Sequence, residues 1–93
     1  MVIYCRIYKV TIKHGQNKHL AKLPESVRKL FFLPVEDLRA DGAIQKSWPN
    51  FSALGKHQYH CHLNRSYVAC WTWIKGSIEI EVYYVGSREK APY

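Results

Sequence analysis

Glycine, cysteine and acidic residues are scarce in this chain, which carries 5 glycines, 3 cysteines and 7 Asp plus Glu among 93 residues. The glycines do not gather into a phosphate-cradling loop, and there is neither a GxSxG nucleophile elbow nor a CxxC zinc pattern. Cys5, Cys61 and Cys70 are odd in number and widely spaced, which argues against a disulfide framework and for a reduced, cytoplasmic setting. The longest apolar run, Leu30 to Val35 with Pro34 inside it, falls far below the ~20 residues that span a bilayer. Met1-Val2-Ile3-Tyr4-Cys5-Arg6 lacks a basic region followed by a sustained apolar one, so no secretory signal is expected. Internal repeats and low-complexity runs are absent.

Positive charge and apolar residues are plentiful. Fourteen Lys and Arg leave a net +7, which favours phosphate-rich partners. An apolar share of 47% excludes a disordered chain, and a chain of this length holds one core, so residues 1–93 are expected to form a single domain.

Hydrophobic spacing changes along the chain from strand-like to helix-like and back. Ile3 to Ile12 is rich in β-branched and aromatic residues on both faces, which predicts an interior strand. His14-Gly15-Gln16-Asn17 breaks it, and a short helix is predicted from Asn17 to Leu23. Pro24 and Glu25 then open a second helix, with Pro24 at its first position. Val27, Leu30, Phe31, Pro34, Val35 and Leu38 keep to one buried face, and Asp41-Gly42 ends it. Pro34 removes one backbone hydrogen bond, which predicts a kink or two consecutive short helices. Ala43 to Gly55 reads as an irregular loop. His57 to Leu63, Tyr67 to Ile74 and Ser77 to Val85 are separated by turn-sized gaps and read as a three-stranded antiparallel meander. The whole is an α+β fold with its helices on one face of the sheet.

The densest group of ionisable residues is His57-Gln58-Tyr59-His60-Cys61-His62. Strand alternation puts His60 and His62 on one face, the solvent or ligand side, and Tyr59, Cys61 and Leu63 on the other. Such a pair can be two ligands of a metal, two solvated surface histidines, or an acid and a base, since imidazole gives and takes protons near neutral pH. No third ligand is evident on the next strand, so no metal is expected. Lys46, Lys56, Arg65, Arg88 and Lys90 lie near strand ends that a meander can bring together. Cations around an acid–base pair suit a phosphodiester, whose transition state spreads negative charge over its oxygens. RNA brings its own nucleophile, the 2′-hydroxyl. Trp48 and Phe51, in the loop, are candidates for stacking on a base or for capping the edge of the core. Tyr93 carries a phenol that can donate a proton or stack.

The element order, the strand Tyr59-His60-Cys61-His62-Leu63, the strand Tyr67-Val68-Ala69-Cys70-Trp71 and the ending Tyr84-Val85-Gly86-Ser87-Arg88-Glu89-Lys90-Ala91-Pro92-Tyr93 together resemble the RelE/ParE-like toxins of bacterial type II toxin–antitoxin systems. Trp48-Pro49-Asn50-Phe51 through Leu54-Gly55 is similar to their cytotoxic translational repressor subgroup. The resemblance covers nearly the whole chain and implies a RelE-like fold. It also implies a ribonuclease that cuts mRNA, often on the ribosome, with basic residues in place of a metal or cofactor. RelE-type members read Tyr-Lys-x-Lys-Leu on this strand, so the two lysine positions are His60 and His62 here, and YafQ-type members carry a catalytic histidine in a Cys-His pair that matches Cys61-His62. The family arginine of Val-Gly-x-Arg-Glu falls on Arg88, and the C-terminal catalytic tyrosine falls near Tyr93, one residue closer to the arginine.

By this reading His60, His62, Arg65, Arg88 and Tyr93 are catalytic, and Lys46, Lys56, Lys90 and Trp48 bind RNA. The implied partners are a cognate antitoxin, mRNA with the ribosome, and operator DNA for the toxin–antitoxin pair, with no membrane. One position departs. The family arginine after the tyrosine that opens the middle strand is Val68, which cannot clamp a phosphate, and Arg65 is its candidate substitute. The ParE branch, which poisons DNA gyrase by protein contact, and a non-toxic regulatory or nucleic-acid-binding relative are the alternatives, since fold alone does not settle function.

Overall fold

The structure is a computed structural model that describes residues 8–45, 48, 50–74 and 76–92. Its elements are β1 (Lys9–Ile12), α1 (Gln16–Lys22), α2 (Glu25–Asp41), β2 (Ser52–Gly55), β3 (Gln58–His62), β4 (Tyr67–Trp73), β5 (Glu79–Ser87) and a 3₁₀ turn (Arg88–Lys90). The strands form one mixed sheet in the order β1-β5-β4-β3-β2, with β1 parallel to β5 and the other neighbours antiparallel. The expected α+β fold, with helices on one face and an antiparallel β3-β4-β5 meander, is present.

Three expectations about the sheet change. The first strand lies at an edge, not in the interior: Lys9 and Thr11 are exposed and only Val10 and Ile12 are half-buried. Its predicted start, Ile3 to Ile7, lies outside the described residues. The loop from Ala43 to Gly55 ends in a strand, β2, which pairs with β3 around an irregularity between Ala53 and Gly55. Four residues with one half-buried side chain carry too little periodicity to be read as a strand; pairing with β3 makes it one. Finally, β5 runs on to Ser87, and the register slips between Cys70 and Trp71 because Tyr83 is an extra residue opposite β4. A bulge of this kind leaves one residue unpaired and bends the strand.

The helices follow the expected face. Val27, Phe31, Pro34 and Leu38 of α2 are buried, and Val27, Phe31 and Leu38 join Cys61, Ala69, Trp71, Ile80, Val82 and Val85 of the sheet in one core. Pro24 is the residue before the helix, not its first position, and its carbonyl accepts from the N–H groups of Val27 and Arg28. Pro34 does not divide the segment: α2 is one helix of 17 residues, with the proline ring buried in its apolar stripe. Gly42 ends it at φ 93 and ψ −170, a conformation essentially confined to glycine. Trp71 is fully buried, and its indole N–H donates to the Ala43 carbonyl at 3.0 Å. Replacing an indole buried like this with alanine costs about 3–5 kcal/mol. Among the described residues no helix is long and apolar enough to cross a membrane.

Candidate functional site

The face of the sheet away from this core is built by register. His62 stands opposite Val68, and Val68 opposite Gly86; His60 stands opposite Cys70, and Cys70 opposite Tyr84. Cross-strand neighbours project to the same side, so both histidines share a face with Val68, Cys70 and Tyr84, while Cys61 and Ala69 point into the core. Tyr84 lies along the strand over Gly86: a Cβ there would sit 3.0 Å from the Tyr84 hydroxyl, which donates to the Ser87 carbonyl at 2.7 Å. Glycine at 86 is what lets the phenol lie down.

His60 and His62 are neighbours, with ring centroids 5.5 Å apart. They are not equivalent. His60 is only 7% exposed, because β2 places Ser52 opposite it; Ser52 Oγ lies 3.1 Å from His60 Nδ1 and the Ser52 carbonyl 3.4 Å. The expectation that both rings face solvent or ligand fails for His60, since it rested on β3 being the edge, and β2 covers that edge. His62 is half-buried, and its Nδ1 lies 3.1 Å from the side-chain nitrogen of Asn50. Its pKa is lowered below the ordinary imidazole value by burial first, then by His60 and by the Arg88 guanidinium.

Two turns bring cations to His62. In the β3–β4 turn the Asn64 side-chain oxygen accepts from the Ser66 and Tyr67 N–H groups at 2.8 and 3.0 Å, so Arg65 rides on a fixed loop. The Ser66 carbonyl accepts from Arg88 N–H at 2.7 Å, and Ser87 Oγ caps the 3₁₀ turn that starts at Arg88 by accepting from Glu89 N–H. Turn is thereby tied to turn. A cleft of about 280 Å³ is lined by Asn50, His62, Arg65 and Arg88, and an adjoining one of about 330 Å³ shares both arginines. Both arginines are exposed.

The remaining candidates separate. Lys56 precedes β3 and Arg65 follows it, so these two cations lie at opposite ends of a five-residue strand, roughly 15 Å or more apart at ~3.4 Å per residue. The expected convergence of all the strand-end cations therefore fails for Lys56. Lys90 is exposed in the 3₁₀ turn and lines a third cleft with His19 and Lys22. Trp48 is half-buried against the core, and its indole N–H donates to Asp37 Oδ2 on α2, which places it at the rim of the core and outside the His62 cleft. Phe51 stacks beside Tyr59 and Trp71 in the same rim. Lys46 and Tyr93 lie outside the described residues.

Val68 is fully buried and supplies no charge, and the arginines of the His62 cleft are Arg65 and Arg88. Cys61, the neighbour of His62 in sequence, is buried on the opposite face, and burial pushes its thiol up to about 12. Among the described residues no group of three His, Cys, Asp or Glu is placed to hold a metal ion. Sequence reasoning missed Asn50 and Asn64. Asn50 has a positive φ of 54, which asparagine tolerates, and its position after a proline in a loop was the available signal.

No protein-family model matches the sequence, and no curated protein matches it. Solved structures do match in three dimensions. A chain of the archaeal RelE–RelB complex from Pyrococcus horikoshii OT3 superposes with a TM-score of 0.71 at 17% identity, covering 91% of this chain and 99% of that one. The isolated Escherichia coli RelE toxin gives 0.71 at 20%, covering 91% and 88%. A chain of the YoeB–YefM complex from Staphylococcus aureus gives 0.67 at 11%, covering 87% and 97%. The strands and helices that carry His62, Arg65 and Arg88 are thus arranged in the RelE-like fold, the fold of the RelE and YoeB toxins.

Proposed function

We propose that this chain is the toxin of a type II toxin–antitoxin pair and acts in the cytoplasm as a metal-independent endoribonuclease on mRNA, at the ribosome. The observation that carries this reading is the meeting of His62, Arg65 and Arg88 in one cleft. Arg65 and Arg88 hold the non-bridging oxygens of the scissile phosphate, where charge accumulates in the transition state. The His62 imidazole takes the proton of the RNA 2′-hydroxyl. The 2′-oxygen bonds to phosphorus, the bond to the 5′-oxygen breaks, and Tyr93 supplies that oxygen with a proton. The products are a 2′,3′-cyclic phosphate and a free 5′-hydroxyl. RelE and YoeB are found in complexes with RelB and YefM, and a cognate antitoxin is the corresponding partner here, with operator DNA bound by the pair.

The test is mRNA cleavage in a purified translating-ribosome reaction with protein treated with EDTA and magnesium restored for the ribosomes. Wild type is expected to cut, and His62→Ala to lose about 100- to 10,000-fold. Cleavage that survives in His62→Ala removes the imidazole from the mechanism. Absence of cleavage by folded wild type turns the reading towards a toxin that binds a protein such as gyrase, or towards a regulatory relative.

A further inference from the structure

β1 stops at Ile12 opposite Val82, while β5 continues to Ser87. Beyond that point α1 lies beside the uncovered strand, and the side-chain oxygen of Gln16 accepts the otherwise unpaired Val85 N–H at 3.2 Å. Between the second half of α1 and the end of β5 a cleft of about 410 Å³ remains. Its cations are His19, Lys22 and Lys90, all exposed, and its rings are Tyr67 and Tyr84, the latter held by its bond to the Ser87 carbonyl. No acidic residue lines it, and none occurs from Tyr8 to Pro24, a stretch that carries Lys9, Lys13, Lys18 and Lys22.

This cleft is continuous with the site. It shares Tyr67 and Ser87 with the Arg65–Arg88 cleft, which shares both arginines with the cleft of His62. Cations and aromatic rings line the three clefts, with Glu89 the one carboxylate, in the joining cleft. An unpaired nucleic-acid strand binds such a surface with its phosphates on the cations and its bases stacked on the rings without regard to sequence. We propose that the α1–β5 cleft is a second nucleotide subsite, so that single-stranded RNA runs from His62 across Arg65 and Arg88 to Lys22 and Lys90. The proposal rests on the ribonuclease reading and adds a grip on the strand beyond the scissile phosphate.

The experiment uses the full chain and fluorescent 2′-O-methyl oligonucleotides of two and six nucleotides, which bind but lack the nucleophile. Anisotropy titrations at several salt concentrations compare wild type with Lys22→Glu, Lys90→Glu and, as a control of equal charge change on the outer face of α2, Lys29→Glu. The hexamer is expected to bind wild type about tenfold more tightly than the dimer. Lys22→Glu and Lys90→Glu should each remove about fivefold of that gain and reduce the slope of log affinity against log salt by ~0.7, one phosphate contact on a single strand. Lys29→Glu should leave the gain intact. An equal loss in all three variants shows diffuse attraction and overturns the subsite, as does equal binding of dimer and hexamer. If Lys22→Glu and Lys90→Glu weaken only the binding of an acidic peptide or protein, the cleft belongs to a protein partner and the subsite is again overturned. A length-dependent, Lys22-dependent affinity in a protein that cuts no RNA supports the subsite and removes the nuclease reading alone.

Discussion

The side-chain nitrogen of Asn50 lies 3.1 Å from Nδ1 of His62, and Asn50 reaches it from a left-handed backbone with φ 54. For Nε2 to take the 2′-hydroxyl proton as proposed above, Nδ1 must carry the ring's own proton and the Asn50 amide must turn its oxygen to accept it. Asn50 is a positioning residue, and glycine is the substitution that removes its side chain while suiting its φ. Asn50→Gly is expected to keep its melting temperature, to change the His62 tautomer ratio seen in imidazole ¹⁵N NMR, and to cut RNA about 3- to 10-fold more slowly, the worth of one hydrogen bond. An unaltered tautomer ratio would show that the contact does not form in solution.

His62 should titrate below the usual imidazole value of ~6.5, because burial, His60 and Arg88 all oppose its charged form. Arg88→Gln removes one of the three causes, and the pKa read by NMR should move back up. The folded chain then binds this proton less readily than the unfolded chain does. Stability is therefore expected to fall as pH drops from about 6.5 through the folded pKa, and to level off below it. In His62→Gln that part of the acid sensitivity should vanish from denaturation curves collected across the range.

Gly42 and Gly15 share a positive φ, 93 and 95, but differ in surroundings. A Cβ at 42 would meet the Tyr8 ring at 2.8 Å, whereas one at 15 meets nothing within 4 Å. Gly15→Ala should lose about 1–2 kcal/mol, the backbone penalty alone. Gly42→Ala should lose more, by about 1–3 kcal/mol for the overpacking and further for its backbone at ψ −170, which alanine adopts less readily than the ψ −29 of Gly15. Repeating Gly42→Ala in a Tyr8→Ala background separates the two parts in urea denaturation, and an unchanged loss there would remove the Tyr8 contact from the account.

Both described thiols are buried and are expected to be unreactive in the folded protein. Burial pushes Cys61 and Cys70 up to about 12, and the Cys70 thiol is hydrogen-bonded to Tyr83, itself pushed up to about 12 by burial. Only thiolates react readily, so a thiol reagent such as DTNB should label at most one cysteine per native chain, Cys5, and all three after unfolding. Native labelling of two or three would contradict the packing of the Cys61 face or the Cys70 face.

Asn64 fixes the turn that carries Arg65 through two backbone N–H groups. Asn64→Ala is expected to lower cleavage more than stability, since it loosens the guanidinium while the strands stay paired. The comparison is turnover against melting temperature, with Asn64→Asp, which keeps the accepting oxygen, restoring most of the rate.

Local pattern was enough for the buried face of α2, though not for its continuity through Pro34, for the presence of β3, β4 and β5, though not for the end of β5, and for the division of His60 and His62 from Cys61, because a helical stripe and strand alternation depend on neighbours a few residues apart. The candidate pair and Arg88 were legible through residue order and family resemblance. Long-range pairing settled the rest. That β1 is an edge strand parallel to β5, and that Ser52–Gly55 becomes a strand, depends on which chain segment arrives alongside. The arrival of β2 buries His60 and makes His62 the ring in the cleft, and the bond from Arg88 to Ser66 joins two turns 22 residues apart. Residue types and their local periods are written in the chain one neighbour at a time; which cations share a cleft with which imidazole is decided only when the sheet closes its register.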